Sequence, residues 1–168
     1  MYPTKNDIDL SKRKKLTGLL NQLLSEAIDL KAQTKQAHWN VKGEDFIALH
    51  QLFDTIATEA DDVVDLIAER VVQLGEIARG TVRVAAKQSR LKEYPLDATD
   101  SQLHVDALSS AIAAFNAYGR KAIDESDTIG DKVTADLLTG IVRGLDKQLW
   151  FVEAHLKETT VKSSRKTG

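Results

Sequence analysis

Apolar side chains recur at intervals of three and four residues through four long stretches of this chain, a period that fits helices and not strands. The first stretch runs from about Leu10 to Trp39 and carries Leu16, Leu19, Leu20, Leu23, Leu24, Ala27, Ile28 and Leu30. It breaks at Asn40-Val41-Lys42-Gly43, where asparagine and glycine favour a turn. The second begins near Glu44 or Asp45 and ends around Gly75, with Leu49, Phe53, Ile56, Ala60, Val63, Ile67, Val71 and Leu74 as its seam. Residues 76–97 are less regular: Thr81 to Leu91 is expected to form a short connecting helix, and Tyr94-Pro95 a breaker. Thr99-Asp100-Ser101-Gln102 resembles a capping box for a third long helix, expected to end near Glu125. After a break across Asp127-Thr128-Ile129-Gly130-Asp131, a fourth carries Val133, Leu137, Leu138, Ile141, Leu145, Leu149 and Val152.

Two helical pairs joined by a longer central connection describe an all-α, four-helix bundle with one crossover that holds a short helix. The chain has 168 residues, enough to bury a core without staples, and is expected to form a single domain over residues 1–168. Hydrophobic residues make up 42% and charged residues 29%, which argues against disorder. No apolar run approaches the ~18–20 residues that span a bilayer, and Met1 to Lys5 lead into no signal core, so a cytoplasmic location is expected. There is no cysteine and Met1 is the single methionine, which leaves imidazole and carboxylate as metal ligands.

The net charge of −2 is unevenly spread. Residues 1–15 carry +3 and residues 157–168 carry +3, leaving −8 for residues 16–156. The basic ends are a short N-terminal segment of about residues 1–9, running into Lys12 to Lys15, and a C-terminal tail of about residues 157–168. An acidic body of this kind gathers cations, while the basic ends either contact polyanions or simply keep the chain soluble.

The second helix concentrates the chemistry. His50, Asp54, Asp61, Asp65 and Glu69 line one stripe, because His50–Asp54 and Asp65–Glu69 are i,i+4 pairs and Asp54 and Asp65 differ by only ~20° around the axis. The stripe lies away from the leucine-phenylalanine seam. Val72 projects in line with it, Ala57 and Ala68 lie within ~60°, and no lysine or arginine compensates the carboxylates within the helix. The pattern reads either as a solvated acidic face or as an interface that binds cations. His50 and Glu69 are ~28 Å apart along the axis, so one copy of the helix cannot wrap a single ion. Two antiparallel copies across a two-fold axis would bring His50 and Asp54 of one chain to Asp65 and Glu69 of the other, giving two identical sites. His38, near the turn, could join His50. Imidazole with carboxylate and no thiolate suits iron(II), manganese(II) or zinc.

A family resemblance rests on these same residues. Lys35-Gln36-Ala37-His38-Trp39-Asn40-Val41-Lys42-Gly43-Glu44-Asp45-Phe46, with Leu49-His50 and Phe53-Asp54, resembles the first signature of the Dps family (DNA-binding proteins from starved cells). Asp61, Asp65, Ala68, Glu69 and Arg70 resemble its second, and Asp146-Lys147 with Leu149-Trp150-Phe151 extend the likeness to about residue 156. The resemblance implies a ferritin-like four-helix bundle assembled as a homododecameric shell. It implies metal ligands at His38, His50, Asp54, Asp65 and Glu69, the first two from one subunit and Asp65 and Glu69 from its neighbour. Two iron ions would occupy each site, with Asp54 helping to hold the second, and Trp39 beside it would trap stray oxidising equivalents or wedge the dimer interface. Lys35 is expected to pair with a carboxylate. Asp127, Asp131 and Asp136 would line a three-fold pore admitting iron(II), although Asp131 suits helix capping equally well and Lys132 weakens the negative field. His104 and His155 have no evident partner and are expected to be structural or surface residues.

The implied function is an iron-detoxifying mini-ferritin: an oxidoreductase that oxidises iron(II) with hydrogen peroxide and stores ferric mineral, protecting DNA. A chain without oxidisable sulfur suits that task. Ordinary ferritins instead use Glu-x-x-His pairs inside one bundle. The residues three before each histidine are Lys35, Ile47, Ser101 and Val152, so that arrangement is excluded. The competing reading is a nucleoid-compacting DNA-binding protein whose metal sites are structural, with Lys157, Lys162, Arg165 and Lys166 contacting phosphate.

Overall fold

The sequence periodicity becomes helix almost residue for residue. A computed structural model describes residues 1–157, in the order α1 (Leu10–Asn40), α2 (Phe46–Gln73), α3 (Val82–Gln88), α4 (Ser101–Ile129) and α5 (Lys132–Glu153). No strand occurs among the described residues, and the expected all-α class with a short crossover helix is observed. Residues 41–45 turn α1 back onto α2, with Gly43 at φ 104°. Gly75, at φ 87°, closes α2. Its N–H bonds Val72 O at 2.9 Å while the next N–H reaches Val71 O at 3.2 Å, a Schellman stop that needs the left-handed glycine.

Three boundaries differ from the sequence expectation: the connecting helix, expected to reach Leu91, ends at Gln88 with Ser89 extended as its cap, and both ends of the third long helix depart as well. The third long helix does not stop near Glu125 but continues to Ile129, because Ile129 still packs on the core and Gly130 alone, at φ 94°, supplies the stop. At its start, Asp100 is the cap, its carboxylate accepting from Gln102 N at 2.7 Å. The Gln102 side chain does not return to the cap. It crosses to the end of α5, donating to His155 O at 2.9 Å and accepting from Lys157 N at 2.9 Å.

The bundle pairs α1 with α2 and α4 with α5, while α1 also packs on α4 and α2 on α5. One apolar core runs between them, with Phe53 and Phe115 its largest buried side chains. The crossover is held by a different kind of contact. Asn21, Gln22, Ser25, Glu26, Asp29 and Gln33 recur along a second face of α1 and bind the crossover backbone and side chains. Asn21 donates to Ile77 O at 3.2 Å and accepts from Arg79 N at 2.8 Å. Gln22 donates to Gln88 O at 2.8 Å, Gln33 donates to Lys92 O at 3.0 Å, and the buried Glu26 pairs with Arg90. An irregular segment lying on a helix leaves many peptide groups needing partners, and this polar ladder supplies them.

Residues 1–9 are not a loose basic arm. Tyr2 N donates to Gly75 O at 2.6 Å, and the Arg13 guanidinium donates to Ile8 O at 2.9 Å and to Leu74 O at 3.1 Å. The first residues are thereby tied to the far end of α2.

Asp131 ties α5 to α2. Its carboxylate caps α5 by accepting from Val133 N and Thr134 N, and it pairs with Arg70 Nη2 at 2.9 Å, the two side chains being 2% and 10% exposed. Burial pushes its pKa up, but hydrogen bonds from Thr134 and Arg70 overcome this and hold it below the usual carboxylate value. Replacing it strands a buried guanidinium, so Asp131→Ala should cost about 3–5 kcal/mol. Because the folded pKa is depressed, the contribution is complete above the unfolded carboxylate value and is lost as pH falls below it. The gap in thermal midpoint between wild type and variant, read by circular dichroism, should be full at neutral pH and close in strong acid.

Candidate metal centre

The turn between α1 and α2 sets two histidines face to face. His38, in the last turn of α1, and His50, in the second turn of α2, stack with ring centroids 3.8 Å apart and planes inclined by 22°. Each ring is held by the other's backbone. His38 Nδ1 lies 2.8 Å from His50 O, and His50 Nδ1 lies 2.9 Å from His38 O. A carbonyl oxygen only accepts, so both Nδ1 atoms carry the proton. In the neutral form that leaves both Nε2 lone pairs free, and fixing the tautomer through the opposite nitrogen is how proteins orient histidine toward a metal. The Phe46 ring, 5.1 Å from that of His50, closes one side.

Asp54 stands one turn beyond His50, with an oxygen 3.8 Å from His38 Nε2. Lys35 Nζ binds the same oxygen at 2.8 Å, which matches the pairing expected for Lys35. The lysine hydrogen bond, then its charge, hold the Asp54 pKa below the ordinary carboxylate value. Asp61 is likewise paired, with Lys31. Compensation missing within α2 therefore comes from α1, which periodicity along a single helix does not reveal.

Asp65 and Glu69 are exposed farther along the same face of α2. Asp65 lies ~16 Å along the axis from Asp54, and Glu69 farther still. Among the described residues of the single chain, no group of three or more histidine, aspartate or glutamate side chains is placed to hold a metal ion. The chain unites His38, His50 and Asp54 and leaves Asp65 and Glu69 apart.

Apolar groups flank this open face. Trp39 is 67% exposed, Ile47 61% and Val72 53%. Beside Glu69 lies a hollow of about 430 Å³ lined by Ala68, Val72 and Ala78. Ala57, expected on this face, is instead buried in the bundle. The Lys35 ammonium sits 5.8 Å from the Trp39 ring.

The three aspartates near α5 separate. Asp127 and Asp136 are exposed, and Asp127 pairs with Lys132. Asp131 is a buried cap committed to Arg70, so the expectation that it lines a pore is corrected. Lys157 is exposed at the end of the described chain, while Lys162, Arg165 and Lys166 lie outside the described residues. His155 is half-buried. His104 is fully buried and does have a partner, the Tyr94 hydroxyl, which sequence inspection missed because a breaker separates them.

Comparison with known proteins bears on the fold and the family. The family description "Ferritin-like domain" matches residues 17–161. A DNA protection during starvation protein of Agrobacterium fabrum (strain C58) is 47% identical over 157 residues, covering 94% of this chain and 97% of that protein. Mycobacterium smegmatis Dps superposes with a TM-score of 0.89 at 30% identity, covering 95% of this chain and 96% of that one. Dps from Microbacterium arborescens, solved in a high iron form, superposes with a TM-score of 0.80 at 33% identity, covering 88% and 95%.

The Lys35–Asp54 contact makes a direct prediction. In Lys35→Met, the Asp54 carboxyl should titrate at higher pH than in wild type, read by NMR of the side-chain carbon in metal-free protein. An unchanged titration would mean that Lys35 does not control this carboxylate.

Proposed function

The chain belongs to the Dps family of ferritin-like proteins, and from that premise we propose that it oxidises iron(II) at sites shared by two subunits and stores the ferric product inside a homo-oligomeric shell. The observation that carries this reading is the reciprocal lock of His38 and His50. Two imidazoles fixed with free Nε2 atoms, next to a carboxylate but short of a full ligand set, form half of a metal site. Asp65 and Glu69 on an antiparallel copy of α2 would be the other half, and the exposed Trp39, Ile47 and Val72 would be covered in the same contact. The high iron form of the Microbacterium relative supports iron as the metal.

In this reading His38 and His50 hold one iron(II) with the partner's carboxylates, and Asp54 helps to hold a second. Hydrogen peroxide accepts one electron from each ion, so its O–O bond is cleaved by a pair of electrons and hydroxyl radical is not released. Lys35 must surrender Asp54 as the metal arrives. Asp127 and Asp136, the exposed aspartates near α5, would line the path by which iron(II) enters. The shell would assemble as a dodecamer in the cytoplasm.

Peroxide added to anaerobically iron(II)-loaded protein tests the mechanism. His50→Ala with Asp65→Ala should slow oxidation by at least about tenfold, since even outer-shell partners of metal sites are worth that much. Native mass should still report an assembled shell. Unchanged oxidation in the double variant, or a monomeric wild type, would overturn the reading.

The Agrobacterium relative is named for DNA protection, and one structural observation favours direct DNA contact here. Lys14 and Arg79 share a shallow hollow between α1 and the crossover with one carboxylate, Glu76, while Arg83 and Lys87 are exposed on α3. Fixed cations of this kind bind phosphate without reading sequence, and binding then weakens steeply with salt. Gel shifts of the full-length shell and of a chain lacking residues 157–168 should both show retardation at low salt if the body contributes. Retardation lost with the tail would assign binding to residues 157–168, and no retardation of either would reject it.

A further inference from the structure

Tyr94, on the crossover, and His104, in α4, are both almost fully buried, and the phenol hydroxyl hydrogen-bonds His104 Nδ1. The carbonyl of Asn40 lies beside the same imidazole, although Nε2 makes no hydrogen bond of good geometry and is left unpartnered in the core. A proton on Nδ1 would strand the buried phenol hydroxyl as well as Nε2, whereas a phenol that donates to Nδ1 strands Nε2 alone. Nδ1 is then a lone pair facing the Tyr94 O–H. The result is a buried, hydrogen-bonded pair of phenol and imidazole. It abuts α1 at Asn40, one residue from Trp39 and two from His38.

We propose that Tyr94 is a redox-active phenol, giving up one electron to strong oxidants formed near His38 while its proton passes to His104 Nδ1. The chain has no cysteine and no methionine beyond Met1, so its three tyrosines and two tryptophans are its readily oxidised side chains. Tyr94 is the buried tyrosine with a base on its hydroxyl. Tyr2 is exposed, and Tyr118 lies half-buried with the Arg90 guanidinium 4.0 Å from its ring centre, a cation that opposes loss of an electron.

A hydroxyl radical, formed whenever peroxide meets a single iron(II), takes one electron and a solvent proton to become water. The Tyr94 O–H bond breaks, its proton forms imidazolium on His104, and a neutral phenoxyl radical remains. A second iron(II) then reduces the radical, His104 returns the proton, and iron(III) is the product. Burial pushes the Tyr94 pKa up to about 12 and lowers that of His104. The resting pair is therefore neutral, and the phenol cannot ionise first. With proton loss first disfavoured, the hydrogen bond to Nδ1 gives the proton a place to go as the electron leaves.

The source of oxidant rests on the iron-oxidation reading, so the test uses two oxidants. In a Tyr2→Phe, Tyr118→Phe background, Tyr94 is the remaining tyrosine. Metal-free shells are exposed to photogenerated ruthenium(III) tris-bipyridine, and separate shells to iron(II) and peroxide. Freeze-quenched electron paramagnetic resonance reads the radical. A neutral tyrosyl signal is expected with both oxidants, absent in Tyr94→Phe. In His104→Gln its yield should fall by at least about tenfold, as loss of a positioned proton acceptor predicts. The background protein should also form the radical more slowly in deuterium oxide, a readout that needs no variant at His104. A tyrosyl signal with ruthenium but not with iron supports the relay and counts against iron oxidation at this site. Tryptophan radicals alone with both oxidants, or no effect of His104→Gln or of deuterium, would overturn the relay.

Discussion

The first helix is used on nearly all sides, and that demand organises the rest of the molecule. Its leucine faces meet α2 and α4, where burial of Leu16, Leu20, Leu23, Leu24 and Leu30 supplies the hydrophobic stabilisation. Its polar face binds the crossover through Asn21, Gln22, Glu26 and Gln33. A helix this long could not leave such a row of polar groups buried without partners, and an irregular crossover could not lie on an apolar surface with its peptides unsatisfied. Each requirement answers the other. The crossover is thus guided along α1, from the Gly75 stop to the Tyr94–His104 pair beside Asn40.

The same helix positions the candidate metal ligands. Its last turn presents His38 to His50, and the two rings hold each other through main-chain carbonyls. Such a lock depends on the backbone of both helix ends and not on further side chains, so the geometry is built in before any metal binds. Lys31 and Lys35, one turn apart on α1, neutralise Asp61 and Asp54 on the open face. They reduce like-charge repulsion along α2 in the separated chain. Asp65 and Glu69 have no such lysine partner in the pairs observed, and they are the two carboxylates that the proposed function gives to a neighbouring subunit.

Ion pairs join the remaining elements. Asp131 with Arg70 clamps α5 to α2, and Arg120 with Asp146 and Asn116 links α4 to α5. The Asp131–Arg70 contact is satisfied from several sides, as buried charge requires, whereas Arg120 and Asp146 meet at the surface. His104 Nε2, beside Tyr94, is one of several buried side-chain atoms without a hydrogen-bond partner, Glu26 Oε2 and Asn116 Oδ1 being others.

The helices were legible in the linear pattern because a 3.6-residue period and glycine stops are local properties. Thus α1 and α2 match their expected limits closely, whereas the end of α4 was misjudged by four residues, since an aspartate-rich stretch reads as a break although Ile129 still reaches the core. The stripe of His50, Asp54, Asp65 and Glu69 was equally local, and so was the conclusion that one helix cannot gather them. What only the tertiary structure decided were relations across the chain. The stacking of His38 on His50, the lysines of α1 on the carboxylates of α2, the capture of Asp131 by Arg70 and the burial of His104 against Tyr94 join residues that share no helical period. Periodicity specifies which face a side chain takes; the partner it meets depends on where the turns and the crossover bring another element.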